Sequence, residues 1–363
     1  MKKIVVLFFS VMLISFSSNA GEIDTNYVQK FKNLFMVKGF LLNNGFQYTI
    51  TPQNNDAFTE KQLDDARVFY TANIPPVTGV SLNVKGIGFT YIFKFTNDYL
   101  DTTSRIKSGY KQFQMNIYGS KFGFEGYYQD YSRFYFHYKG DEILAKNYNA
   151  DIRAYQFGAT AIFINNGKKF SYNAAFNQNQ FQKKSVGSSL TVFGLRYNEI
   201  SSRNLIPDSV KKYFKEYPDL NSNRNYAFIF QQGYAYNLVK NGFYFSNALF
   251  LGAGLQKQVY EYPEGKKSRL GVPVTIRTKS SLGYNGKVFF GGLYANADYS
   301  QSKIKSLQTQ QFQYTYGIFL GLRAIELTKS KSQIRQEEKR KKDAVKKAKE
   351  DKKKAAQDKK KKK

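Results

Sequence analysis

The sequence predicts an all-β fold: a transmembrane antiparallel β-barrel of about 12–14 strands, followed by a helical or disordered basic tail. Three observations predict it. The chain opens on a secretory leader. Long segments after it alternate apolar and polar residues. Beyond the leader, no apolar run approaches the roughly 20 residues that a membrane helix needs.

In the leader, Lys2 and Lys3 precede the apolar run Ile4–Phe16, and Ser18-Asn19-Ala20 offers a small-residue cleavage site, so residues 1–20 read as a signal peptide. Its apolar run of 13 residues is too short to anchor the chain as a spanning helix. The chain has no cysteine, which removes disulfide and thiolate chemistry and a lipid-modified N-terminal cysteine.

Residues 21–328 form the barrel domain. Side chains alternate across a strand, so every second residue shares a face. Ile87, Phe89, Tyr91, Phe93 and Phe95 make one such row. Phe113, Met115 and Ile117 alternate with Gln112, Gln114 and Asn116; after Gly119-Ser120, Phe122, Phe124 and Tyr128 alternate with Gly123, Glu125 and Gln129, which is a hairpin. Tyr226, Phe228, Phe230, Tyr234 and Tyr236 are followed across VKNG by Phe243, Phe245, Leu249, Leu251 and Leu255. Near the end, QFQYTYGIFLGLRAIEL (311–327) sets Phe312, Tyr314, Tyr316, Ile318, Leu320 and Leu322 against Gln313, Thr315, Gly317 and Arg323.

Strand length decides which solvent the apolar rows meet. Segments 224–238, 243–257, 270–284, 287–300 and 310–325 exceed the roughly 9–11 residues of a spanning strand. Strands of a soluble secreted β-sandwich, the alternative architecture and a binding module by function, average only about 5–6. The face opposite the apolar one is rich in Gly, Ala, Ser, Gln and Asn, as suits a wet lumen. The 29 Tyr and 33 Phe supply interfacial girdles. Because unpaired backbone groups in hydrocarbon cost several kcal/mol each, such a sheet must close on itself.

Turn signals stand at 43–45 (NNG), 85–86, 165–169, 241–242 and 284–286, with polar loops at 52–66, 97–110 and 201–223. Counted along the chain, tight turns change from odd to even strands. A strand is therefore miscounted between about 138 and 190, or long loops occupy both sides. Ser185–Ser189 is a candidate plug or rim contact, and Asp208–Lys215 a short helix in a candidate lid.

Residues 329–363 hold 16 Lys and 2 Arg against 6 Asp and Glu, a surplus of 12 within the formal charge of +29. With no sustained apolar stripe this is a solvated tail. Behind a signal peptide it does not suggest nucleic acid; its expected partners are cell-wall polymer or lipid headgroups on the periplasmic side.

Four stretches carry a resemblance: QKKSVGSSL (182–190), QQGYAYNLVKNGFYFSNALFLGAG (231–254), LGYNGKVFFGG (282–292) and YQDYSRFY (128–135). Together they resemble the repeated motifs of an uncharacterised outer-membrane barrel family of Bacteroidota, domain of unknown function 4421, over most of residues 27–327. In the fourth stretch Ser132-Arg133 stands where the family pattern has Lys-Gly. The resemblance implies a barrel and an outer-membrane location but no activity, and the Lys-rich tail lies outside the pattern.

Chemistry is sparse. Ser185-Val186-Gly187-Ser188 and Gly283-Tyr284-Asn285 lack the glycine spacing, the Lys and the following helix of a phosphate loop. His137 is the one histidine, so a lipid-modifying enzyme would have to use it. Strict alternation puts it on the opposite face from Ser132, and the expectation is therefore no enzyme. Neither a metal nor a cofactor is expected. The candidate site is the lumen, lined by Lys94, Glu125, Gln129, Gln156, Arg196, Gln231, Gln313 and Arg323, three cations against one anion. The expected role is passive: a porin-like path or pocket for small anionic solutes, or a lumen filled by ion pairs in a structural envelope component.

Overall fold

The computed structural model describes residues 23–31, 35–84, 86–94, 107–140 and 147–324. The leader and the tail lie outside them, as does most of loop 97–110. The described strands are β1 (Val28–Lys30), β2 (Phe35–Pro52), β3 (Val68–Ala72), β4 (Val77–Val84), β5 (Ile87–Lys94), β6 (Gly109–Tyr118), β7 (Phe122–Tyr138) and β8 (Asn147–Ile164). They continue as β9 (Gln180–Gln182), β10 (Val186–Ser201), β11 (Ser222–Lys240), β12 (Phe243–Tyr262), β13 (Gly265–Gly271), β14 (Val274–Asn285), β15 (Phe289–Ile304) and β16 (Leu307–Ala324).

Twelve of them close a ring in the order β2-β4-β5-β6-β7-β8-β10-β11-β12-β14-β15-β16, and β16 returns to β2 in antiparallel register from Leu307↔Pro52 to Ala324↔Phe35. Closure leaves the ring without a free edge, which is what a sheet in hydrocarbon requires. β3 and β13 join the same sheet, making fourteen strands, but stand outside the ring order. β4, β5 and β6 are short, and β3 fills the wall above them by pairing with both β2 and β7.

The apolar rows face outward. Phe312, Tyr314, Tyr316, Ile318, Leu320 and Leu322 are all exposed, Leu320 at 72%, while Phe319 on the other face is 3% exposed. The rows on β11 and β12 behave alike: Tyr226, Phe228, Phe230, Leu249, Leu251 and Leu255 point out, and Ile229, Gln231 and Ala235 point in. Apolar surface of this extent on a soluble monomer would be anomalous. On a spanning barrel it is the lipid belt.

The turn signal at 43–45 does not break the chain. Asn43, Asn44 and Gly45 run straight through β2, opposite Tyr316, Thr315 and Tyr314. The Tyr314 ring lies where a side chain on Gly45 would stand, so an aromatic covers the glycine across the strand pair.

The two mouths differ in their connections. β2 begins and β16 ends at one mouth, here the terminal end, which also carries the tight turns at Gly86, 119–121, 241–242 and 286–288. The other mouth, the loop end, carries 53–67 with helix α1 (Glu60–Asp65), 202–221 and the β12–β13 hairpin. Long connections occur on both sides, because 165–185 belongs to the terminal end, yet the tight turns of that end all follow even strands of the ring; the change in turn parity is a strand miscounted between about 138 and 190, where β9 stands outside the ring.

Candidate functional site in the lumen

The inward face of β7 presents Glu125, Tyr127 and Gln129; that of β14 presents Arg277 and Lys279; that of β15 presents Tyr294, Asn296 and Asp298. The charges meet across the lumen. Both amino nitrogens of Arg196, on β10, donate to the two Asp298 oxygens at 3.0 Å, and Arg277 Nε donates to Asp298 Oδ2 at 2.9 Å. Arg277 lies 3.9 Å from Glu125, which also accepts from Lys279 and Tyr118. Strands β7, β10, β14 and β15 are thus tied together by three cations and two carboxylates, with every side chain under a fifth exposed.

Each ion in this bridge needs the others. An unpaired buried charge costs several kcal/mol, and removal of one partner from such a pair costs about 3–5 kcal/mol. Each carboxylate here receives at least two donors, the arrangement that a buried carboxylate needs.

A second inward feature runs across strands. Gln112, Gln129, Gln156, Asn198, Asn225 and Gln258 stand directly opposite one another on β6, β7, β8, β10, β11 and β12. Gln129 Nε2 donates to Gln112 at 3.2 Å. Gln129 Oε1, Asn198 Oδ1, Asn225 Oδ1 and both polar atoms of Gln156 have no protein partner.

Between these features lies a cavity of about 160 Å³, bordered by Lys38, Gln129, Arg277, Lys279, Asn296 and Gln313 among others. The Gln129, Asn296 and Gln313 side-chain oxygens are unpartnered. A cavity of that size compares with one that holds a benzene-sized molecule, of about 150 Å³. A second cavity, about 320 Å³, lies where β3 and β4 part, beside Gly45, Thr71, Phe312 and Tyr314.

At the terminal end the β8–β10 connection folds into the mouth. Phe170, Tyr172, Ala175 and Phe176 pack on Ile162, Leu190, Val192 and Phe250, around a π-helical turn at Asn173–Asn177. Gln178 fixes the plug: its Oε1 accepts from Lys38 at 2.8 Å, its Nε2 donates to Tyr244 at 3.0 Å, and its backbone oxygen accepts from Arg323 Nε at 3.1 Å. The Arg323 guanidinium lies over the Phe290 ring at 4.2 Å. β1 pairs with β9 across this plug.

The loop end is closed by a second apolar cluster. Leu205, Ile206, Val210, Phe214, Tyr217 and Leu220 from 202–221 join Ile50, Tyr70, Tyr260 and Leu307 in one apolar core. Within that connection the expected short helix is a 3₁₀ helix, Asp208–Tyr213.

The sequence-predicted residues divide accordingly. Glu125, Gln129 and Gln313 border the chamber, and Arg196 belongs to the bridge. Gln156 and Gln231 are buried inward residues away from the chamber, Gln231 donating to Thr275 at 2.9 Å. Arg323 holds the plug instead. Lys94 is half-buried at the last position of β5, opposite Val77. Sequence reasoning missed Arg277, Lys279, Asp298 and Lys38, so the central charges are three cations against two anions.

His137 stacks on Phe69 of β3, ring centroids 4.8 Å apart and nearly parallel. A bulge between Ser132 and Phe134 resets the alternation: Tyr131 and Phe134 both enter the loop-end core, so Ser132 and His137 share the outer face rather than opposite ones. Arg133 in the bulge has φ 64°, the left-handed region that favours glycine.

A family description, Domain of unknown function (DUF4421), matches residues 22–323. The chain belongs to the DUF4421 family. No curated protein matches. Among solved structures, the outer membrane protease OmpT of Escherichia coli is similar at 6% identity and a TM-score of 0.36, over 81% of this chain and 97% of that one. OmpT of Vibrio cholerae is similar at 11% identity and a TM-score of 0.30, over 83% and 98%. The toluene transporter TodX of Pseudomonas putida is similar at 8% identity and a TM-score of 0.21, over 80% and 89%. The glycine-favouring backbone at Arg133 falls where the resemblance noted from the sequence implies a Gly.

Proposed function

We propose that this DUF4421 chain is an outer-membrane barrel with a passive role: a closed chamber for a small polar solute, not an open pore and not an enzyme. The carrying observation is the bridge Arg196–Asp298–Arg277–Glu125–Lys279, which crosses the lumen between the two closed mouths. The outward belt of Phe, Tyr and Leu supports placement in lipid. The tight turns and both ring termini support a periplasmic terminal end, as short turns face that side in barrels of this kind. The surplus cation at the chamber wall, with Lys38 beside it, favours an anionic or partly anionic solute.

Reconstitution of the purified full chain into a planar bilayer tests this reading. The expected record is a silent membrane at moderate voltage, with no steady current steps. Reproducible single-channel conductance from the unmodified protein would replace the chamber with a pore.

A further inference from the structure

We infer that the terminal end of the barrel is a docking surface for an extended, carboxylate-bearing polymer, independently of what the chamber holds. Lys30, Lys121, Lys168, Lys169, Lys183, Lys184, Lys240 and Lys287 are all exposed there, and Asp24 is the single carboxylate among the described residues of that end. None of the eight lysines has an ion-pair partner among the described residues. Lys169 and Lys184 instead place their ammonium groups 5.2 and 5.3 Å from the centre of the Tyr27 ring, and Lys183 Nζ donates to the Thr25 carbonyl at 2.9 Å. The ring and a neutral carbonyl hold these side chains in place without cancelling their charge.

Position selects the partner. Lys121 and Lys287 sit in turns and Lys240 ends β11 at the rim, where headgroups of a surrounding bilayer reach. Lys168, Lys169, Lys183 and Lys184 flank the plug in the mouth itself, where lipid does not. A partner that meets both sets must lie across the mouth, which calls for a polymer. None of the exposed cations among the described residues here is an arginine, so the surface offers separate point charges rather than planar forks. A flexible chain of carboxylates matches such a field, and its attraction falls with ionic strength.

The chain's own tail is excluded as occupant by sign. β16 delivers the backbone to this same end, and residues 329–363 of the sequence beyond it carry 18 basic residues against 6 acidic ones. Like charge opposes docking of such a sequence on this face.

The test keeps the tail constant. Full-length protein in detergent is titrated with fluorescent poly-L-glutamate at two salt concentrations, as wild type and as two quadruple variants: Lys168→Gln/Lys169→Gln/Lys183→Gln/Lys184→Gln at the terminal end and Lys61→Gln/Lys212→Gln/Lys215→Gln/Lys305→Gln at the loop end. Heat-modifiable gel mobility confirms that each is folded. The terminal variant is expected to bind about tenfold more weakly, with a shallower salt dependence, and the loop variant within about twofold of wild type. Equal losses, or no loss, overturn the assignment. So does a terminal-end effect on binding to phosphatidylglycerol vesicles with none on poly-L-glutamate, which would make the face a lipid contact.

Discussion

At the loop end Phe214, Leu205 and Leu220 settle onto Tyr70, Tyr260 and Leu307, whereas at the terminal end Gln178 hangs from Lys38, Tyr244 and Arg323. The exposed charges differ in parallel. Basic and acidic residues mix at the loop end, where Lys211 pairs with Asp208 and Asp219, and Lys139 and Arg67 pair with Asp64. At the terminal end lysine stands almost alone. Both mouths bury an apolar cluster, but the terminal end adds directional hydrogen bonds to Gln178 beneath a one-signed surface, whereas the loop end mixes its charges. Burial loosens when volume is lost, and the hydrogen-bonded part of a seal when a single donor is removed.

The largest expected effect follows from the apolar seal. Phe214→Ala removes a fully buried ring and should cost about 3–5 kcal/mol, read as a lowered midpoint of urea unfolding in lipid vesicles. If it costs no more than a substitution in an exposed loop, the 202–221 segment is a loose cover and the contrast between mouths disappears. Next comes the polar seal. Arg323→Ala removes the donor to the Gln178, Gly286 and Asn285 oxygens and should cost about 1.5–3 kcal/mol, the range for hydrogen bonds from charged groups. The local readout is faster tryptic cleavage at Lys183 and Lys184. Unchanged cleavage would mean that packing of Phe170 and Tyr172, rather than Gln178, retains the plug.

How far these mouths were legible in the chain depends on periodicity. The outward rows could be read because lipid demands an apolar side chain at every second position, and Phe312–Leu322 obeys without a break. Inward Gln129, Gln156 and Arg196 follow by parity. Arg277 and Lys279 follow by the same rule, since Val274, Ile276 and Leu282 mark the outer face of β14, and they were missed only for want of applying it. Asp298 was harder, because Ala295 and Ala297 are too small to declare a face. The plug has no period at all. Its trace is compositional: Phe170–Gln182 is free of charge between Lys169 and Lys183, an odd interval in a basic chain unless it is buried. The bulge at Arg133 broke alternation outright, and the barrel's substitution of β3 for three short strands is a tertiary choice that no local pattern encodes.

The smallest effect sharpens the comparison on the electrostatic side. At the loop end the hydrogen bond from Lys139, with Arg67 alongside, holds the Asp64 carboxyl below the ordinary carboxylate range. A carboxylate that ionises more readily when folded adds stability at pH above its unfolded value, and that contribution is lost as pH falls through the folded one. Asp64→Asn should therefore cost less than about 1 kcal/mol at pH 7, as partly exposed pairs do, and the gap from wild type should close on acidification. Unfolding midpoints at pH 7 and in acid measure it. Because the described residues give none of the eight terminal-end lysines a carboxylate partner, Lys183→Gln should cost less at pH 7 than Asp64→Asn, read from the same unfolding midpoints. A larger penalty there would reveal a carboxylate neutralising the face, and the difference between the two mouths would be one of shape alone.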